Sequence, residues 1–321
     1  VIDFRYHLVS LIAVFLAVAL GIVIGTTQLN GPLTDNLQGQ VTALQDDKRS
    51  LEDQTQLLQT QLDDVGSFDE AVGPTLVENT LAGESVVLVV ASPDLDAEVV
   101  EGVTALLGSA GATVTGTIRL TDTYADPSSA GTVESYLAGP GVPATVTRPA
   151  TDDVGELVAS VLAQVLMVPG EGAPDVGIPP STTDTSTVLA GLAELDVLSQ
   201  DTSSVSPADQ AVVLTSGTVA GGEDAEDAEA RATALVQLAT ALDTEGSGVV
   251  VAGDLASAGE GGLVEAVRSD RTAAAAVSTV DNVDTPAGRI STVLAVAAEQ
   301  RGTSGEYGVG EDTQPVPPPA S

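Results

Sequence analysis

Three kinds of side chain in this sequence are able to carry chemistry, and their numbers decide most of the question. There is one histidine, His7, one methionine, Met167, and no cysteine. Thiolate nucleophiles and disulfides are therefore excluded, and neither a Ser-His-Asp relay nor a Cys/His metal cluster can form beyond residue 7. Carboxylates are the abundant group, with 46 Asp and Glu against 10 Lys and Arg. Polar groups, carboxylates among them, stand where strands would hand over to helices: Ala91-Ser92-Pro93-Asp94, Thr121-Asp122, Thr215-Ser216-Gly217 and Ala252-Gly253-Asp254. In a parallel sheet such carboxyl ends are where ligands sit, and these residues would suit a polar or cationic group. Ser, Asp and Gly also cap helices and close turns, and that structural role is the reading favoured here. Asp152-Asp153 and Glu223-Asp224 likewise stand where helices begin, which the helix dipole already explains. No carboxylate pair is singled out for acid-base work. No GxGxxG, P-loop or GxSxG occurs in context, and GSAGATVTG at 108–116 precedes a strand instead of following one. The expectation is a non-enzymatic protein with no bound cofactor.

The net charge of −36 excludes nucleic acid as a partner, because such a surface repels phosphate. Asp3 and Arg5 cancel, so the whole imbalance lies further along the chain. Aromatic residues make up only 2%, so Ala, Val, Leu and Ile must supply the core.

Two stretches dominate the organisation. Leu8 to Gly25 reads LVSLIAVFLAVALGIVIG and carries no charge. Eighteen residues rising about 1.5 Å each reach roughly 27 Å, enough to cross most of a bilayer's hydrocarbon core. Ala17 and Ala19 make a small-x-small pattern, but the apolar run continues past them, so a retained anchor is favoured over a cleaved signal. Leu8, Leu11, Phe15 and Leu20 are its apolar body; Gly21 and Gly25 form a small-xxx-small pair that lets helices approach closely. Arg5 precedes the run and no Lys or Arg comes after it until Lys48, which predicts a cytoplasmic amino-terminal stub and an extracytoplasmic remainder.

After an expected break at Gly31-Pro32, apolar positions recur in a 4-3 rhythm. One row is Leu37, Leu44, Leu51, Leu58 and Val65; the other is Val41, Lys48, Thr55 and Leu62. This is a coiled-coil signature just over four heptads long, and it predicts a homodimeric stalk that holds the next domain ~40–50 Å from the membrane. Lys48 and Thr55 weaken the seam, and polar seam residues set register or oligomer state.

Gly66 to Pro74 is expected to end the helix. Strands are then predicted at 85–91, 112–120, 210–214, 248–252 and 275–280. Helices are predicted at 96–107, 152–167, 187–198, 225–242, 262–268 and 286–300, with irregular passages at 124–149 and 169–180. This alternation predicts an α/β, Rossmann-like parallel-sheet head with helices on both faces. The proposed divisions are a cytoplasmic stub at 1–7, transmembrane anchor at 8–26, coiled-coil stalk at 33–66, head at 83–302 and disordered tail at 303–321.

The stretch DFRYHLVSLIAVFLAVALGIVIG at 3–25, the leucine heptads behind it and EYGVG at Glu306–Gly310 resemble the actinobacterial MctB family of mycobacterial-type copper transporters. The resemblance spans the whole architecture and implies copper efflux or copper resistance at the cell envelope. A second role attached to related proteins, under the name SteB, is cell separation through a membrane partner and a peptidoglycan hydrolase. The donor chemistry pulls against copper binding. Cu(I) favours thiolate and thioether, Cu(II) favours imidazole with oxygen, and Met167 falls on an apolar helix face. One helix, moreover, cannot enclose a pore. No metal ligand is assigned. Two functional expectations result: a copper-export component completed by an oligomer or partner, or a dimeric coiled-coil adaptor presenting a surface to an envelope or division protein.

Overall fold

The computed structural model describes residues 4–139, 141–170, 181–202, 204–219 and 225–317, excepting the side chains of 26–36 and 225. Two compact units divide the chain, Val1–Val65 and Gly66–Ser321. The fold is mixed α/β, with one apolar helix near the amino terminus and a seven-stranded, mostly parallel sheet.

The first unit is helix. α1 runs Phe4–Val77 without interruption, so the expected break at Gly31-Pro32 does not occur. A proline removes one backbone donor, but that loss bends a long helix more readily than it ends one. Leu, Ala and Gln are good helix formers, and they recur on either side.

The expected stop at Gly66–Pro74 is also displaced, since the helix continues to Val77. The glycines here serve close packing. Gly66 faces the Pro286 ring, and a Cβ at Gly73 would stand 3.1 Å from Ile290 Cδ1. Glu70 Oε1 lies 3.6 Å from the Arg289 guanidinium. Val77 and Leu81 are fully buried.

Within the second unit, β1 (Ser85–Val90), α2 (Ala97–Ser109), β2 (Thr113–Leu120), α4 (Val154–Leu166), β4 (Gln210–Leu214), α6 (Ala225–Glu245), β5 (Val249–Ala252), α7 (Leu263–Ser269) and α9 (Pro286–Glu299) stand where the periodicity places them. Five further elements correct the sequence reading. α3 (Ala130–Leu137) forms inside the Gly/Pro-rich passage. The helix expected at 187–198 is α5 (Thr182–Glu194), followed by a short antiparallel strand, β3 (Leu198–Gln200). A reciprocal cap explains the early start, because Ser181 and Asp184 satisfy each other's backbone donors. The strand expected at 275–280 shortens to β6 (Ser278–Val280), and Ala273–Ala276 forms the turn of helix α8, as an all-alanine run favours. Most of the loop expected at 169–180 lies outside the described residues, as do Glu223 and Asp224.

The tail is not wholly disordered. Glu306–Tyr307 adds β7 in parallel to β6, Gly308 N donates to Gln314 O, and Ser291 Oγ donates to Pro315 O. Residues 318–321 lie outside the described set.

The strand order is β3-β2-β1-β4-β5-β6-β7, and it reverses direction between β1 and β4. Alternate residues feed two cores. Val87, Val89, Val213 and Val251 pack with α4, α5, α6 and α7; Val86, Leu88, Val90, Val212 and Val250 pack with α2 and α9. Strands buried on both faces need continuous apolar runs, which is why SVVLVV carries no alternation.

Candidate functional site

Two regions were marked by the sequence, the helix surface of the first unit and the carboxyl edge of the sheet. On the helix, Phe4–Gly25 is 22 residues with mean hydropathy 2.9 and none of it buried. Leu8, Leu11, Phe15 and Leu20 are 52–67% exposed, and nothing lies within 4 Å of a Cβ built at Gly21 or Gly25. The heptad rows are equally open. Leu37, Val41, Leu44, Leu51, Leu58, Leu62 and Val65 are 51–70% exposed. Lys48 Nζ sits 3.3 Å from Glu52 Oε1, and Thr55 Oγ1 donates to Leu51 O at 2.8 Å. The anchor and seam side chains thus lie on a helix surface with no cover among the described residues.

At the carboxyl edge, the order reversal brings Ser92 and Thr215 together, Oγ to Oγ1 3.0 Å. Ser92 Oγ also donates to Ser216 O, and Ser216 N donates back to Ser92 Oγ. Asp254 Oδ1 accepts from Gly217 N at 2.8 Å and from Ser257 N at 2.9 Å. Asp96 caps α2 through Glu98 N, and Asp153 caps α4 through Glu156 N. A cleft of about 600 Å³ opens over this edge, rimmed by Asp94, Asp96, Asp254 and Asp284. Burial, and then the neighbouring Asp254 charge, push the Asp284 carboxyl above its usual range. These hydrogen bonds run between turn and cap groups, so the edge is built as strand-to-helix connections.

The end of β2 is organised separately, by a residue the sequence reading did not select. Arg231 is buried, and its guanidinium donates to the carbonyls of Thr121, Asp122 and Tyr124. Its signal was faint: one arginine at a helical position otherwise occupied by alanine and leucine. The EYGVG segment is likewise a clasp. Asp281, fully buried, accepts from Arg268 Nη1 at 3.0 Å, Val309 N at 2.7 Å and Gly310 N at 3.2 Å. A side chain at Gly308, where φ is +131°, would overlap the Asp281 carboxylate. The glycines are required by that approach.

For copper, the donor set is poor. Met167 stands just past α4 in extended backbone, outside the helix expected to include it, and is 1% exposed in the core. Among the described residues no three of His, Cys, Asp and Glu converge on a metal position.

A helix long and apolar enough to cross a bilayer and an α/β unit with a mostly parallel sheet together define a membrane-associated α/β protein. The chain belongs to the MctB family, described as "Copper transport outer membrane protein, MctB", which matches residues 1–318. It is 32% identical over 319 residues to proteins named "Copper transporter MctB" from Mycobacterium bovis and Mycobacterium tuberculosis, covering 98% of each chain. A protein of the same name from Mycobacterium leprae is 32% identical over 332 residues, covering 99% of each.

Proposed function

We propose that this chain is a non-enzymatic, single-pass component of copper export or copper resistance at the cell envelope. The observation that carries the reading is the match along residues 1–318 to a copper-transport family whose members include proteins named as copper transporters. Arg5 ahead of the apolar span, with Lys48 the next basic residue, supports a cytoplasmic amino-terminal end and an extracytoplasmic, Rossmann-like head.

Copper enters this reading as cargo. With no thiolate, one buried thioether and one histidine within α1, the chain offers no soft-donor cage to retain the ion. One helix does not enclose a path either, so the active form includes further helices. The open heptad rows favour self-association as a coiled-coil dimer, with other subunits completing the transport assembly.

The test is growth of a strain lacking the gene across a copper series, with cell copper measured and with zinc and a wall-stress agent as controls. Copper-selective sensitivity with raised cell copper, reversed by the intact gene, is expected. Unchanged tolerance would overturn the copper reading. The uncovered seam would then favour an adaptor for cell separation, and capture of a peptidoglycan hydrolase by the full chain would support it.

A further inference from the structure

Lys48 is the one charged residue on the seam, and the positions beside the seam single it out. The eight flanking positions 38, 40, 45, 47, 52, 54, 59 and 61 hold glutamine except at Asp47 and Glu52. Those two acids stand at i−1 and i+4 from Lys48, with Leu51 the apolar seam residue between it and Glu52. Thr55, the second polar seam residue, has its hydroxyl committed to Leu51 O within its own helix. Lys48 therefore carries the seam's only cation, and it is already 3.3 Å from its own Glu52.

We infer that the heptad face is covered by a second copy of this chain, parallel and in register, with the Lys48 layer fixing the alignment. The inference rests on the coiled-coil part of the function proposed above. In a parallel pair each side chain of the Val41, Lys48, Thr55 and Leu62 row enters a hole on the facing helix, and the residue preceding the matching position forms one wall of that hole. Lys48 then lies against the partner's Asp47 while keeping its own Glu52. The same alignment sets Asp47 across from the partner's Glu52, two like charges, and the ammonium groups lie between them.

Other alignments lose this compensation. A shift of one heptad sets Lys48 opposite the partner's Val41 or the partner's Thr55, where the flanks are glutamine. An antiparallel overlay of Leu37–Val65 sets it beside the partner's Gln54. The antiparallel form also places the two apolar spans at opposite ends of the coil, which one bilayer cannot accommodate. A polar seam residue costs stability and gains a single alignment, since specificity is the difference between pairings.

The chain has no cysteine, so one introduced thiol reports its own contacts. Full chains carrying Leu44→Cys, or Leu58→Cys, are reconstituted in lipid nanodiscs, oxidised and run without reductant. Each is expected to cross-link to itself, because matching seam positions come within disulfide reach. Cross-linking only in a mixture of the Leu44→Cys and Leu58→Cys chains would mean antiparallel pairing and overturn the inference. No cross-link in either chain or in the mixture would overturn pairing altogether.

Lys48→Glu added to Leu44→Cys should cut the cross-linked yield roughly tenfold or more, as like charges meet. Combining Lys48→Glu with Asp47→Lys and Glu52→Lys inverts the layer and should restore the yield. Wild-type yield with Lys48→Glu alone would overturn the pin and leave the dimer standing. The copper reading is decided separately by growth on copper, so neither result substitutes for the other. Helix content by circular dichroism confirms that each variant keeps α1.

Discussion

Leucine and valine line both the heptad helix and the sheet of the head, yet the two regions use them in opposite ways. Val87, Leu88 and Val89 of β1 are fully buried, whereas Leu44 and Leu62 are 68% and 70% exposed. Burying one such side chain contributes about 1.5–3 kcal/mol. The head realises that contribution against its own helices. The first unit realises none of it among its described residues; the proposed function assigns its apolar rows to lipid along Phe4–Gly25 and to another helix along Leu37–Val65. Ion pairs repeat the contrast. Lys48–Glu52 is open to water, where a pair is worth little by itself; Arg268–Asp281 is buried and holds β7 in place.

That contrast is broken most directly at Asp281. Asp281→Ala leaves the Arg268 guanidinium and the Val309 and Gly310 amides without their acceptor. The expected cost is about 3–5 kcal/mol of head stability, read by denaturant unfolding of the full chain in detergent, with faster proteolysis around β7. A cost below about 1 kcal/mol would mean that the clasp does not hold the tail. Next comes a matched pair of leucines. Leu162→Ala, in the middle of α4, should cost about 2–5 kcal/mol. Leu44→Ala should leave head unfolding within about 0.5 kcal/mol and weaken only cross-linking between chains. Equal losses would show that the heptad helix contributes to the head core.

A smaller effect depends on pH. Glu299 is buried at the end of α9; its Oε2 accepts from Ser304, its Oε1 has no partner, and Asp243 on α6 is the nearby charge. Burial first, opposed by the Ser278 and Ser304 hydroxyls and reinforced by Asp243, pushes its carboxyl up to about 7. A folded-state value above the unfolded one favours the protonated form. Its stabilising contribution is complete below the unfolded value of 4.5 and is lost as pH rises through about 7. Glu299→Gln stays neutral, so it should match the wild type at pH 4.5 and exceed it by about 2–3 kcal/mol at pH 8. Parallel pH profiles for the two proteins would refute the assignment.

Local signals were the legible ones. SVVLVV and QAVVL are unbroken apolar runs, and both are central strands with helices on either face. Asp96, Asp153 and Asp254 read as cap residues, and they are hydrogen-bonded as such, whereas the Ser92 hydroxyl joins β1 to the end of β4. The features that stayed hidden depend on pairing between distant segments. Gly66 and Gly73 look like helix breakers until Pro286 and Ile290 are seen to need the room. The two-residue β7 has no periodicity of its own, and it forms because Asp281, well before it in sequence, supplies acceptors for the backbone beyond it. Arg231 was illegible for the same reason: the carbonyls it satisfies lie more than a hundred residues away. Seam and anchor residues were assigned from a local repeat, and among the described residues they stay exposed.

The smallest test compares one residue type in the two regions. Thr285 precedes Pro286 at the start of α9, and its Oγ1 accepts from Gly288 N at 3.1 Å. That amide has no partner inside the helix, so Thr285→Ala should cost about 1 kcal/mol of head stability. Thr55 makes a different bond. Its hydroxyl donates to Leu51 O, a carbonyl that the helix ladder already engages, so no orphan group is satisfied. Thr55→Ala should leave head unfolding unchanged and leave helix content the same or slightly higher, because alanine is the better helix former. Thr55→Val keeps a branched apolar shape on the seam and should preserve or increase the cross-linked yield in the Leu44→Cys chain. If Thr55→Val reduced that yield as strongly as Lys48→Glu, the hydroxyl itself would be part of the interface. The seam would then be pinned at two layers instead of one.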